Sequence, residues 1–440
     1  MDTETKDSRG QWSGSLGFVL AAIGSAVGLG NVWRFPYITG EYGGGAFVVV
    51  YIGCVLLVGI PVLLAELLIG KKTQRNAVGA FRSLRPRYPW AFTGWLGVVS
   101  GFVILSYYGV VGGWVLHYVY LSLINAFSAS TPDNIAGLFG ALGSNPLLQI
   151  FWHGVFMVFA VTFVAGGISR GIELGNKIMM PALFSLLSLL VAYALQTPGT
   201  GAAVEFLFRP RWEQLSPAAV LEALGQALFS MSLGMAAMVT YGSYLGKNSN
   251  MVRSAFTIAV GDTVVALLAG LVVFPIAFTF SLQPSAGPSL IFQTLPIAFS
   301  QLAAGYFVAL AFFTLLSFAA LTSAMSLLEV VAAYFIDERH WSRKKASWLL
   351  GGVIFVLGLP SDVSHDFLGF MDGIATNYLL PIGALLIALF VGWALRHHER
   401  QEAFDGMAKP TLAYYGWSFL IRFVSPVALL GIFLHQLRLI

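Results

Sequence analysis

The chain has 440 residues, of which 57% are hydrophobic and only 10% are charged, and its formal net charge is +4. This composition excludes a soluble globular protein and indicates a polytopic α-helical protein embedded in a lipid bilayer. The single cysteine, Cys54, excludes an internal disulfide framework. The net charge says little about partners, and we expect no nucleic-acid partner.

Residues 1–15 are polar and lack the short apolar core and cleavage site of a signal peptide, so we predict a retained N-terminal tail. Hydropathy then predicts eleven transmembrane spans. They lie at 16–39, 45–70, 91–125, 150–168, 178–196, 219–245, 255–281, 301–336, 346–360, 367–395 and 411–437.

The lysines and arginines predict the orientation. With the N-terminus in the cytoplasm, only Arg209, Arg211 and Arg438 fall outside, and Arg34 and Arg422 lie within spans. The positive-inside rule therefore favours a cytoplasmic N-terminus, and an odd number of spans leaves the C-terminus extracytoplasmic.

Three longer loops, 126–149, 197–218 and 282–300, then face outward. The last contains three prolines between short apolar pieces, which favours a loop folded over an entrance; an ordinary surface connection is the alternative.

The first span contains the stretch Gly24–Pro36, GSAVGLGNVWRFP. Glycine is a poor helix former, and a backbone group freed inside a membrane needs a partner. We therefore predict that the helix unwinds at 26–29 and offers carbonyl groups to a cation. A small-residue packing face is the alternative, but Asn31 and Arg34 at the same depth favour a site.

This stretch continues as NVWRFPYITGEYGGGAF and closely resembles the first helix of the neurotransmitter:sodium symporter family, whose bacterial members import amino acids. The resemblance continues at intervals as far as Asp372. It implies an all-α, LeuT-like fold of two inverted five-helix repeats, with helices 1 and 6 unwound at the midplane, in the inner membrane of a bacterium.

The sixth span carries the series QALFSMSLGM, a second interrupted helix. Two interrupted helices at matching places in inverted halves indicate a midplane substrate site. We expect a cytoplasmic tail at 1–15, a first repeat at 16–200, a second repeat at 201–400 and an eleventh helix at 401–440. Many relatives carry a twelfth helix, from which this chain departs.

In the eighth span, Ala319, Thr322 and Ser323 share one helix face. The resemblance implies that their oxygens and the carbonyls of Gly24 and Val27 bind one Na⁺, a hard cation that prefers oxygen ligands. Hydroxyls bonded back to their own helix are the alternative.

That site is the second sodium site. At the other, which we call the first sodium site, Na⁺ would take the Ala26 carbonyl, Asn31, Ser230, Asp262 and the carboxylate of the substrate, which couples the two ligands. A carboxyl group inside an apolar span is a functional candidate.

The resemblance also implies the substrate pocket. Tyr108 would bond the substrate carboxylate, and Ser25 stands where monoamine-transporting relatives have an acid, which favours an amino acid with a neutral, hydrophobic or aromatic side chain. Each apolar member of the set would by itself be read as core. The predicted set is Ser25, Ala26, Gly28, Ile104, Tyr108, Phe229, Ser230, Ser232, Gly234, Met235, Ser323 and Leu327.

Charged pairs would close the two ends of the pathway. Arg34 and Asp372 would form the outer gate, and Arg9 and Asp337 the inner gate, although ordinary solvation also explains the latter two. Trp12, Ser243 and Tyr244 would support the inner gate. We assign Glu66 to the unwound first helix, and Glu329 weakly to the inner pathway.

Chloride-dependent relatives bind Cl⁻ with residues that correspond to Tyr51, Gln226 and Ser230 plus a serine, which is Ala266 here. Asp262 would supply the missing negative charge, since an uncompensated charge is unfavourable in a low-dielectric site. We expect transport without chloride, with Asp262 taking a proton for the return step. The alternative is that Asp262 is only a stronger sodium ligand.

These features predict a sodium-coupled symporter with two Na⁺ sites that works by alternating access. A receptor or channel with the same fold, and a proton-driven exchanger, are the alternatives. An enzyme is disfavoured, because the sequence offers no activated nucleophile, metal cluster or phosphate loop. We expect a homodimer or a monomer.

Overall fold

A computed structural model describes residues 10–127, 131–246, 249–282, 289–405 and 411–436, and these residues form helices and no β-strand. In chain order the helices are α1 (Ser15–Ala26), α2 (Gly30–Glu41), α3 (Gly45–Thr73), α4 (Ala77–Leu84), α5 (Ala91–Leu123), α6 (Pro132–Gly143), α7 (Pro146–Ala165), α8 (Ile168–Ala194), α9 (Thr200–Phe208), α10 (Pro217–Ser230), α11 (Ala237–Gly242), α12 (Met251–Thr279), α13 (Leu290–Ser300), α14 (Gly305–Arg339), α15 (Arg343–Val363), α16 (His365–Ala394), α17 (His397–Gln401) and α18 (Leu412–His435).

Within the described ranges, nine helices are long and apolar enough to cross a membrane, or ten when α1 and α2 count as one bent span. The predicted sixth span is divided into α10 and α11, which are too short to qualify by themselves. The count of eleven spans therefore stays a prediction.

The first span breaks after α1. Val27 takes an extended conformation with φ −72° and ψ 103°, and α2 continues at an angle of 49° to α1. The bend falls in the glycine-rich stretch, where the backbone is least committed to a helix. Ala26, Val27 and Leu29 at this bend are buried inside the protein.

The second break follows α10. Three residues there have positive φ: Ser232 at 54°, Gly234 at 83° and Ala236 at 59°. Gly234 also touches α16, because an added Cβ would lie 2.2 Å from the Leu380 carbonyl oxygen. Only glycine fits this position, since both the backbone conformation and the space exclude a side chain.

The long helices α5 and α14 pack along each other, and α7 and α15 pack against α5. Helix α1 rests on α8, α12 and α14, whereas α10 and α11 rest on α3. The two broken helices are thus enclosed by unbroken ones, which supply partners for backbone groups that lipid could not satisfy.

Two sequence expectations about bounds need correction. Helix α8 begins ten residues before the predicted span 178–196, because its first turns include polar residues that lower hydropathy. The three loops predicted to face outward contain the helices α6, α9 and α13, which are too short for a span-length hydropathy window to register.

Candidate functional site between the two helix breaks

The two breaks face each other across a small cavity of about 20 Å³. Every predicted substrate residue except Gly234 lines it, together with two residues that were not predicted, Leu29 and Gly30. None of the lining residues carries a charge. The lining set is Ser25, Ala26, Gly28, Leu29, Gly30, Ile104, Tyr108, Phe229, Ser230, Ser232, Met235, Ser323 and Leu327.

Gly234 and Glu66 belong to the wall behind the cavity. The Gly234 N–H donates to Glu66 Oε1 at 2.8 Å, and the Val239 N–H donates to Glu66 Oε2 at 3.3 Å. Our assignment of Glu66 to the unwound first helix is therefore wrong. The carboxylate serves the second break, because α3 packs beside α11 and meets the N–H groups that this break frees.

Polar groups of both breaks meet at the cavity. Ser232 Oγ donates to the Ser25 carbonyl at 2.7 Å, and the Leu29 N–H donates to Tyr108 Oη at 3.4 Å. The hydroxyl of Ser25 is buried and has no hydrogen-bond partner among the described residues. The cavity thus offers a free hydroxyl beside unwound backbone.

A fully buried carboxylate, Asp262, lies on one side of this cavity. Asn31 Nδ2 donates to Asp262 Oδ1 at 2.7 Å, Ser230 Oγ donates to Asp262 Oδ2 at 2.7 Å, and Tyr51 Oη donates to the same oxygen at 3.3 Å. Asn31 Oδ1 accepts from the Gly28 N–H at 3.0 Å. The structure thus gathers three of the four residues predicted for the first sodium site into one oxygen-rich cluster.

Residues of the predicted second sodium site meet where α14 crosses the end of α1. Ser323 Oγ lies 3.2 Å from the Ser25 carbonyl oxygen and 3.5 Å from that of Val27. Thr322 Oγ1 donates to the Ala319 carbonyl at 3.0 Å, which is the back-bonded arrangement that was the alternative. Its lone pairs stay available to a cation, since a donating hydroxyl still accepts.

The residues compared with a chloride site also converge. Gln226 Nε2 donates to the Gly30 carbonyl at 2.8 Å, and Tyr51 and Ser230 both bond Asp262. Ala266 is fully buried on the same helix, one turn after Asp262.

At the predicted outer gate, Arg34 and Asp372 line a second cavity of about 300 Å³ but make no ion pair with each other. Arg34 instead lies 3.5 Å from Glu222 and 3.3 Å from Gln226 Oε1, with its guanidinium 5.4 Å from the centre of the Phe229 ring. Sequence reasoning missed Glu222. Its position one turn before Gln226 on α10 was the available signal.

On the side of the N-terminus, Trp12 is buried against α11 and the segment that follows it. Its Nε1 donates to the Tyr241 carbonyl at 3.0 Å and its N–H to the Tyr244 carbonyl at 3.4 Å. Tyr244 Oη donates to Glu329 at 2.6 Å, and Arg343 Nη1 donates to the same carboxylate at 2.7 Å. Glu329 is thus fixed by a buried ion pair.

The remaining residues predicted for the inner gate are Arg9, Asp337 and Ser243. Arg9 lies outside the described residues. Asp337 Oδ2 accepts from the backbone N–H of Asn76 at 2.9 Å and from its side chain at 3.1 Å. Ser243 Oγ donates to the Thr240 carbonyl at 2.7 Å.

The chain is similar in sequence and in fold to known transporters. The model of the sodium:neurotransmitter symporter family matches residues 9–134 and 147–439. Sodium-dependent transporters of Bacillus subtilis (YhdH) and Haemophilus influenzae are 39% and 34% identical, covering 98% and 99% of this chain and 98% and 100% of their own. The crystal structure of MhsT in complex with L-phenylalanine superposes with a TM-score of 0.91 at 44% identity, covering 97% of this chain and 99% of MhsT.

The fold and site define a multi-pass membrane transporter built around two broken helices. The chain belongs to the sodium:neurotransmitter symporter family. The resemblance predicted from the first helix is confirmed, as are the LeuT-like fold and the expectation of a transporter and not an enzyme. It is a sodium-dependent symporter of a small molecule.

Proposed function

We propose that the protein imports neutral, hydrophobic or aromatic L-amino acids together with Na⁺ by alternating access. One observation carries this proposal: the two helix breaks enclose an uncharged cavity that is flanked by the Asp262 cluster and by the contact of Ser323 with α1. The complex of MhsT with L-phenylalanine supports the substrate class.

The two ends of an amino acid have matching groups. The free hydroxyl of Ser25 and the carbonyls of the second break accept from the ammonium, whereas Tyr108 and the amides of the first break donate to the carboxylate. Ile104, Met235 and the other apolar members of the lining set surround the side chain, and the unbranched Met235 adapts to different shapes.

Two Na⁺ complete the bound state. The first is held by the Ala26 carbonyl, Asn31, Ser230, Asp262 and the substrate carboxylate. The second is held by the carbonyls of Gly24, Val27 and Ala319 with the hydroxyls of Thr322 and Ser323. The shared carboxylate makes each ligand raise the affinity of the other, which is the physical basis of coupling.

Asp262 also replaces chloride. The carboxylate provides a permanent negative charge beside the first Na⁺, and Ala266 lacks the hydroxyl that chloride-dependent relatives use. Because this charge stays behind when the cargo leaves, Asp262 takes up a proton for the return step and proton counter-transport results.

Alternating access assigns the two closures. Arg34 moves to Asp372 when the outer side closes, and the contacts of Trp12 break when the inner side opens. The inner gate includes Arg9, Asp337, Ser243 and Tyr244. Residues 16–200 and 201–400 act as the two inverted repeats, with the N-terminus in the cytoplasm of a bacterium and the C-terminus, after the eleventh helix of 401–440, outside.

The test is uptake into proteoliposomes, after a thermal-shift screen of the twenty amino acids in Na⁺ buffer. We expect binding of apolar and aromatic amino acids, and accumulation only with an inward Na⁺ gradient. Binding without accumulation would favour a receptor or channel. Accumulation driven by a proton gradient without Na⁺ would favour an exchanger.

A further inference from the structure

Helix α8 presents a polar face to α1 where α1 has glycines. An added Cβ on Gly24 would lie 2.0 Å from Asn176 Oδ1, and one on Gly17 would lie 2.0 Å from Glu173 Oε1. The amide and the carboxylate therefore occupy space that side chains of α1 would otherwise fill. Both are buried, Asn176 at 0% and Glu173 at 1% exposure.

Asn176 has an oxygen without a partner. Its Nδ2 donates to the Ile172 carbonyl at 2.8 Å, which fixes the amide so that Oδ1 faces Gly24. No described residue donates to Oδ1. A buried acceptor without a hydrogen bond lowers the stability of the fold. Because this oxygen lies beside the proposed second sodium site, we expect it to bind a ligand.

Glu173 continues the polar face toward the N-terminal side of the bundle. Its carboxylate accepts from the N–H of Ser13 at 2.9 Å and from the Ser13 hydroxyl, and it pairs with Lys177 Nζ at 2.7 Å. Residues Glu173, Asn176 and Lys177 stand at i, i+3 and i+4 and so share one face. The side-chain oxygens of Asn176 and Glu173 thus form a row from Gly24 to the N-terminal segment at Ser13.

We propose that Asn176 Oδ1 is a transient ligand for a monovalent cation leaving the second sodium site, and that the Glu173 carboxylate receives the cation next, once Ser13 moves away. This inference rests on the proposed function. Neutral and anionic oxygens are the ligands that a hard cation prefers. An oxygen beside Gly24 lowers the cost of stripping the cation from its carbonyls.

The test compares two transport modes of Asn176→Leu, a variant of similar volume without an oxygen. Net uptake into Na⁺-free proteoliposomes requires cation release, whereas amino-acid exchange with saturating Na⁺ on both sides does not. Losing one polar contact of about 1.4 kcal/mol slows net uptake about tenfold, while exchange and amino-acid binding in Na⁺ stay within about twofold of wild type. Asn176→Ser, which keeps an oxygen and leaves room for water, restores most of the rate.

Ser188→Ala is the matched control, because Ser188 is an exposed residue of α8 that bonds only its own helix, at 2.8 Å to Phe184. If Asn176→Leu does not fold, Asn176→Ala removes the oxygen without adding volume. Equal losses of net uptake and exchange, or unchanged net uptake, would overturn the inference. Failure of the proposed function is separate, because wild-type protein would then lack Na⁺-driven uptake.

Discussion

At the scale of single residues, the hydroxyls of Thr322 and Ser323 supply two of the five proposed ligands of the second Na⁺. The double variant Thr322→Ala, Ser323→Ala should raise the Na⁺ concentration for half-maximal uptake at least about tenfold, since each lost ligand weakens binding by roughly 1 kcal/mol. The measurement is initial uptake against external Na⁺.

Ser326→Ala is the control for that variant. Ser326 is buried on the same helix, but its hydroxyl donates to the Ser323 carbonyl at 2.8 Å. Its removal should leave the sodium dependence unchanged. An unchanged sodium dependence in the double variant would refute the site.

A second residue-scale prediction concerns Asp262. Wild-type uptake should be the same when gluconate replaces chloride, because the carboxylate supplies the negative charge. Asp262→Asn should lose most uptake, and adding Ala266→Ser should restore it only with chloride. Chloride-dependent wild-type uptake, or a double variant inactive at every chloride concentration, would count against charge replacement. Uptake insensitive to internal acidification would count against the proton step alone.

At the scale of elements, the second helix break depends on Glu66. Two backbone N–H groups donate hydrogen bonds to the Glu66 carboxylate. The variant Glu66→Gln places an amide NH₂, itself a donor, against one of them. It should lower the free energy of unfolding by roughly 1–3 kcal/mol and weaken amino-acid binding, measured by thermal unfolding in detergent with and without ligand. The exposed Glu213→Gln serves as control; equal stability of the two variants would contradict this role.

The connection between α4 and α5 is joined to α17 by Arg85 and Glu399. Partial burial opposes ionisation of Glu399, but hydrogen bonds from Arg85 and from the Arg396 N–H outweigh it and lower the pKa of Glu399 from 4.5 to about 2. Because the pKa of Glu399 is lower in the folded state, the ionised carboxylate stabilises the folded protein at pH values above about 4.5. This stabilisation is lost as the pH falls from about 4.5 toward 2. Glu399→Gln should therefore unfold at a lower temperature than wild type at pH 7, and the gap should shrink below pH ~4.5. A gap that is constant with pH would argue against the ion pair.

At the scale of the whole molecule, the structure has Trp12 bonded to the Tyr241 carbonyl and Arg34 close to Glu222, while Arg34 and Asp372 line one cavity. Na⁺ and amino acid together should bring Arg34 to Asp372 and close this cavity. With Cys54 replaced by Ala, a cysteine placed at Leu368, which lines the cavity, should react more slowly with a membrane-impermeant thiol reagent when both ligands are present.

The same assay on Asp372→Asn should show little protection. A cysteine at the exposed Glu213 position should react equally with and without ligands, and so reports the intrinsic rate. Protection that is undiminished in Asp372→Asn would mean that the cavity closes without the Arg34 pair.

The sequence by itself determined the class of protein and the family, and it predicted which two spans are interrupted. These depend on local facts: glycines and polar residues inside apolar runs disfavour a continuous helix wherever the rest of the chain lies. Most of the cavity lining also followed, because the family resemblance implies its positions on several separate helices.

Only the tertiary structure decided which partner each polar group meets. Arg34 lies close to Glu222 and shares a cavity with Asp372. Glu66 bonds the second break and not the first, and Asn176 packs against Gly24. Each of these contacts joins helices far apart in the chain. Sequence spacing fixes which residues share a helix face, but only packing fixes which faces touch.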